Sequence, residues 1–466
     1  MNSKNFDLVI YLVAATFFME NLDGTIIATS LPSMASDFGS SEIDVASGMT
    51  SYLLTLAVLI PVSGWFSDRF GARRIFTLAI AIFTGASILC GLSDSLSMFI
   101  LARVLQGVGG ALMVPVGRAV VLRGTPKEGV IRAVALITWP GLIAPVVGPA
   151  IGGFITTYAS WHWIFFINVP LGLIGIFMSL SLLEQSQEIQ QKPFDYFGFI
   201  FSGLALATFI YCLELSHHFE RNLWLLLITL SICIISAYLA YRHLRICEYP
   251  LMDLKLLDIP SFAVSIQAGI IFRTTLSAVP FLMPLLFQLA FGMDAFTAGL
   301  MVLSIFVGNL AMKAVTSPIL HRFGFKRVMI INGVLSILSI IACAFISPSM
   351  ALPIILLILF LNGIFRSMQF TSINTIGFAD LLGKQIGSAS AITSTSMQLA
   401  NALGVALASL GLVLAQNLRD PQSTVLSLAD FQMSLVLIAL ISFTGLFSLL
   451  KLPNHAGDDI RKNSGS

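Results

Sequence analysis

Apolar stretches of about twenty residues, the length an α-helix needs to cross a bilayer, recur along the whole chain. Fourteen such stretches can be marked, from 7–32 to 429–451, with short polar segments between them. Hydrophobic residues make up 57% of the 466 residues and charged residues 10%, against the roughly 25% charged that a soluble domain carries. No water-soluble core could hide that much apolar surface. The short alternating segments of a β-barrel are absent. The expected class is therefore an all-α polytopic membrane protein.

The positions of the basic residues orient it. With both termini cytoplasmic, every Lys and Arg outside the spans falls on the inner side except Arg221 and Arg419, as the positive-inside rule requires. The setting is then a cell (inner) membrane, crossed many times. The first apolar stretch runs past the usual signal-peptide core without a clean cleavage pattern, so it is expected to remain as a helix. A net charge of +2 argues against a nucleic-acid surface. The five cysteines lack metal-ligand spacing and read as small buried hydrophobes, so no metal site is expected. Gly377 to Lys384 resembles a P-loop only loosely, with Gln385 where Ser or Thr belongs, and ATP is not the expected power source. No serine elbow, zinc motif or dinucleotide fingerprint is present, which points away from an enzyme.

A basic knot sits between the second and third spans as G-W-F-S-D-R-F-G-A-R-R, Gly64 to Arg74. A related knot returns at Ser317 to Arg327, aligning Arg69 with Arg322 and Gly71 with Gly324 at an offset of 253 residues. Gly107 and Gly148 align with Gly363 and Gly404 at an offset of 256. Parallel repeats of six helices are expected to form two lobes about a central cavity. The organisation reads as a six-helix bundle over 1–183, a linker with two inserted helices over 184–257, a second six-helix bundle over 258–451 and a polar cytoplasmic tail over 452–466.

Charges inside spans mark the candidate chemistry, because each costs free energy in hydrocarbon unless it faces a cavity or a partner. Glu20 and Asp23 share one face of the first span, spaced to handle a proton or cation or to tie a neighbouring helix. Arg103, with Gln106 one turn on, could bias their charge. Asp68 could pair with Arg118 to lock one conformation, and Arg73 and Arg74 would meet anionic lipid headgroups. Pro145 and Pro149 each remove a backbone donor, while Gly148, Gly152 and Gly153 leave a smooth face, as a pivot would need. In the second half, Arg273 falls near the position matching Asp23, and Arg366 is followed by Gln369 and Asn374. These residues, with Gln106, Trp139 and Gln288, are candidates for lining the cavity.

Five motifs in register resemble the major facilitator superfamily, specifically its fourteen-helix drug:proton antiporter group. They are Leu22, Asp23, Thr25, Ala28, Leu31 and Pro32 in the first helix; Gly64, Asp68, Arg69, Gly71, Arg73 and Arg74 after the second; Arg103, Gln106 and Gly107 in the fourth; Gly148, Pro149, Gly152 and Gly153 in the fifth; and the run Trp161 to Gly172. Ala144 replaces a glycine of the fifth-helix pattern, and His162 replaces the usual arginine of the last. The resemblance covers nearly the whole chain. It implies two six-helix bundles plus two inserted helices, Asp68 in a gating lock, Arg103 in proton coupling, and antiport by rocking.

The function expected is a proton-coupled exporter of small lipophilic or cationic drugs or toxic compounds, with no cofactor beyond the proton gradient. The alternative is transport of another small solute such as a metabolite, sugar, siderophore or lipid. The partners expected are a small-molecule substrate, protons and membrane lipids, with no nucleic acid. The protein is expected to act as a monomer, with an accessory periplasmic adaptor as a further partner.

Overall fold

The computed structural model describes residues 3–124, 130–183, 193–216, 223–381, 385–420 and 425–453. Residues 184–192 of the expected linker and 454–466 of the expected tail lie outside the described residues. Sixteen α-helices and no strand occur among the described residues. They are α1 (Ser3–Ile26), α2 (Leu31–Phe38), α3 (Glu42–Phe70), α4 (Ala72–Gly91), α5 (Leu96–Gly124), α6 (Val130–Tyr158), α7 (Trp163–Phe166), α8 (Asn168–Leu182), α9 (Tyr196–Ser216), α10 (Leu223–Ile246), α11 (Pro260–Leu285), α12 (Ala295–Phe323), α13 (Phe325–Ala344), α14 (Leu352–Gly377), α15 (Ile386–Arg419) and α16 (Leu428–Leu450). Thirteen helical spans among the described residues are long and apolar enough to cross a membrane, and α6 adds a shorter apolar stretch, Ile143–Tyr158. The two helices expected as an insertion correspond to α9 and α10.

The chain divides into two compact units. One comprises 1–203 with 294–299, the other 204–293 with 300–466. Lipid is as apolar as leucine, so helices in each unit are held by close packing and polar contacts rather than by escape from water. In the first unit Phe76, Phe83, Tyr52 and Met113 are buried in one core with residues of α1. Its helix ends are finished locally. Ser41 and Asp44 form a reciprocal capping box at the start of α3, a device contributing about 1 kcal/mol. Asp37 accepts a 2.5 Å hydrogen bond from the Trp161 indole, which fastens α2 to the start of α7. His162 stacks on the same indole, with ring centroids 3.8 Å apart.

The internal repeat is visible in backbone geometry. Gly71 joins α3 to α4 at φ 88°, and Gly324 joins α12 to α13 at φ 78°. Each donates to the carbonyl four residues back and accepts from the amide four residues on. A side chain is disfavoured at such φ values, so each one-residue turn requires glycine. Helix pairing repeats as well. A Cβ on Gly107 of α5 would strike Thr55 and Tyr52 of α3, and one on Gly363 of α14 would strike Ile305 of α12. Gly148 of α6 meets Thr25 of α1, and Gly404 of α15 meets Ser277 of α11. The step from Thr25 to Ser277 is 252 residues, so Thr275, not Arg273, stands at the position of Asp23.

Candidate functional site

In the first unit, α1 places Asp23 against α5 because Leu22, Ile26 and Met19 beside it are packed inside the bundle. The Asp23 carboxylate and the Arg103 guanidinium are both fully buried and 2.6 Å apart. The carboxylate also accepts from Gln106 Nε2 at 2.8 Å and Asn168 Nδ2 at 3.0 Å. Gln106 Oε1 accepts from Arg103 Nη1 at 2.6 Å, and its Nε2 also donates to the Ser87 hydroxyl at 2.9 Å. Arg103 Nε reaches the Gly48 carbonyl at 3.4 Å, and the guanidinium lies 4.2 Å from the Tyr52 ring centroid. One charge pair thus joins α1, α3, α4, α5 and α8. Low dielectric strengthens such a network when its members are satisfied and makes any unpaired member costly.

Glu20 sits one turn before Asp23 and differs in kind. Its Oε2 is buried with no hydrogen-bond partner. Its charged neighbours are Asp23 and Arg118, and Arg118 lies over the Phe17 ring, 5.9 Å from the centroid. The spacing that predicts a shared face for Glu20 and Asp23 leaves their roles open. The structure separates them into one saturated carboxylate and one with a spare oxygen.

Around the knot, Gly64 faces open space and Gly71 makes the turn. Asp68 is half-buried in the last turn of α3, and Arg69 and Arg74 are exposed. Arg73 donates through Nη2 to the Leu180 carbonyl of α8. The pivot residues lie on α6, which stays helical through Pro140, Pro145 and Pro149. A Cβ on Gly152 would come within 2.3 Å of the Ile26 carbonyl, and one on Gly153 within 2.2 Å of the Ala295 carbonyl. α6 therefore rides directly on α1, the helix that carries Glu20 and Asp23. Trp139 is exposed on α6.

In the second unit, Arg273 of α11 is buried and donates through Nη2 to Asn374 Oδ1 of α14. Gln369 is fully buried and accepts from Asn332 of α13 at 2.9 Å. Arg366 lies over the Phe306 ring, 5.7 Å from its centroid. Gln288 donates to the Pro284 carbonyl at 3.2 Å, inside the wide turn that ends α11. The Gln106–Ser87 contact has a neutral counterpart here, Asn362 Nδ2 donating to Ser339 Oγ at 3.0 Å. Thr275 bonds Ser442 at 3.2 Å. The repeat thus keeps polar side chains where the first unit has the Asp23–Arg103 clasp, but drops its charges.

Sequence reasoning missed Ser87 and the role of Asn168. Asn168 lies in the run Trp161 to Gly172, and a lone amide in an apolar helix was the available signal. Ser87 offered none, since serine is tolerated throughout membrane helices.

The family model described as the Major Facilitator Superfamily matches residues 13–245 and 265–465. The chain belongs to the Major Facilitator Superfamily. It is 37% identical over 414 residues to a protein of Pectobacterium carotovorum named multidrug resistance protein MdtD, covering 88% of this chain and 87% of that one. A protein of the same name from Escherichia fergusonii is 35% identical, covering 97% and 96%. Among solved structures, a POT-family peptide transporter superposes with a TM-score of 0.69 at 13% identity, covering 95% of this chain and 96% of that one. At that identity the likeness speaks to fold alone. Like other superfamily members, this chain is a multi-pass membrane transporter and not an enzyme.

Proposed function

We propose that this chain is a proton-coupled multidrug exporter of the cell membrane, with both termini cytoplasmic and Glu20 as the proton carrier. The observation that carries the coupling is the contrast on α1. Asp23 is engaged by Arg103, Gln106 and Asn168, so protonating it would break a buried ion pair. Glu20 Oε2 has no donor to lose, so a proton can bind there at the cost of no existing bond. Its charge is also exposed to change: ionised, it stands near Asp23 and Arg118.

The proton state is passed on through α6. Two glycines let α6 lie on α1, and two prolines within its apolar stretch lack backbone donors, which lowers the cost of bending. Moving α1 and α6 together changes access from one membrane side to the other. No cofactor is required; the inward proton gradient supplies the free energy. The names of the relatives support a drug-like cargo, small and organic.

Everted vesicles test this reading. With a gradient imposed, the wild type takes up dye-like drugs and releases protons, while Glu20→Gln inserts normally and loses gradient-driven uptake. Unchanged uptake by Glu20→Gln would remove the proton carrier from the scheme.

A further inference from the structure

We infer that the cargo carries an anionic group, a carboxylate in its simplest form, held between Arg273 and Arg366 of the second unit. The inference rests on the transport reading above and adds the charge of what is carried.

Arg273 is 3% exposed, yet only its Nη2 has a partner, Asn374; Nε and Nη1 have none. Nη1 occupies the space left by Gly269 one turn earlier, where a Cβ would come within 3.2 Å of it. Arg366 Nη1 is likewise buried without a partner. The two cations approach one strip of α14. Arg366, Phe370 and Asn374 follow each other at four-residue steps, so they line one side of that helix. Arg273 reaches the strip from α11, bonding Asn374 and lying 5.4 Å from the Phe370 centroid.

Both arginines lie deep. Arg273 is thirteen residues into α11 and Arg366 fourteen into α14. At 1.5 Å per residue each lies about 20 Å from its helix start, near the middle of the helix. A guanidinium does not lose its proton in a protein. A charge at such depth normally pairs with an opposite one. The helices α11 to α15 offer none, since their sequences contain no Asp or Glu, and Asp258, ahead of α11, is taken by Arg245 at 2.9 Å. Asp430 of α16 is taken by Arg419 at 3.0 Å. The contrast with Arg103 is direct: the first unit supplies its arginine with Asp23, and the second leaves two arginines waiting. Lipid phosphates sit at the headgroup level, away from this depth, so the counter-charge must arrive with a solute. Phe370 and Phe306 beside the guanidiniums suit an aromatic or otherwise apolar body.

The test uses purified full-length protein in liposomes with an imposed pH gradient. Aromatic dansyl compounds are supplied in three matched forms, carboxylate, amide and trimethylammonium. The carboxylates are expected to move fastest. Arg273→Gln and Arg366→Gln should each slow them roughly tenfold or more, the loss of one charge-assisted contact. Arg273→Lys and Arg366→Lys should recover part of that rate. The glutamine variants should also melt no lower than wild type, since each removes an uncompensated charge. Movement of the ammonium forms alone would overturn the anion site and leave the exporter reading standing. Equal loss of all three forms in the glutamine variants, with a fall in melting temperature, would reduce the arginines to packing and overturn it too. Movement of no form by wild type would sink both readings.

Discussion

The two carboxylates of α1 should respond oppositely to neutralisation, and the difference can be worked out from their contacts. Asp23 Oδ2 accepts from Arg103, and Oδ1 accepts from Gln106 and Asn168. In Asp23→Asn the new amide nitrogen replaces one of these oxygens. In either orientation it points its hydrogens at existing donors, and Arg103 is left charged and buried. Breaking a buried pair from one side costs about 3–5 kcal/mol. For a unit of this size that is a fall in melting temperature on the order of 6–20 °C. Glu20→Gln loses no bond at Oε2, so its melting temperature should match or exceed wild type. Cys90 and Cys343 are each fully buried, one per unit. Above the background from the half-buried Cys247, a thiol-reactive fluorogenic dye reports unfolding without an added label, and Cys90 lies beside the clasp, 3.7 Å from Gln106 Oε1. A shift under about 2 °C for Asp23→Asn, or an equal fall for Glu20→Gln, would refute the division of labour between clasp and carrier.

Other outcomes follow from backbone and packing. Gly71→Ala and Gly324→Ala should each cost about 1–3 kcal/mol, because both sit at positive φ, whereas Gly64→Ala, with open space around it, should melt like wild type. Gly152→Ala should push α6 off the Ile26 carbonyl and cost about 1–3 kcal/mol; a thermal-shift series with Gly148→Ala would show both, and wild-type melting would disprove the close packing. Asp294 caps α12 by accepting from the Thr297 amide at 2.7 Å, and Asp294→Ala should lower stability by about 1 kcal/mol at neutral pH. That amide holds the Asp294 carboxyl below its ordinary value of 3.8. The cap's contribution is present above the unfolded-state value and fades as pH falls through the lower folded-state one, so melting curves of the variant and wild type should converge in acid.

Hydropathy, charge placement and two glycine-marked knots were enough to read a many-helix membrane protein in two related halves from the sequence by itself. Those signals are local: a span is a sum over neighbours, the positive-inside bias is a tally over loops, and a one-residue turn at Gly71 or Gly324 is set by the backbone of that residue. The pairing of polar side chains was not legible, because it depends on how each helix is rotated. A helix turns by about 100° per residue, so an uncertainty of two residues in the register moves a side chain across the bundle. That is why Arg273 looked like the match for Asp23 when Thr275 holds the place, and why Gln106 reads as a cavity residue but lies buried in the clasp. Only the tertiary structure decided that Asp23 is tied down by three donors from two helices while Glu20 is spare, and that Arg273 and Arg366 find no acid on the helices α11 to α15 around them. Those assignments rest on contacts between residues far apart in the chain, which no pattern along it records.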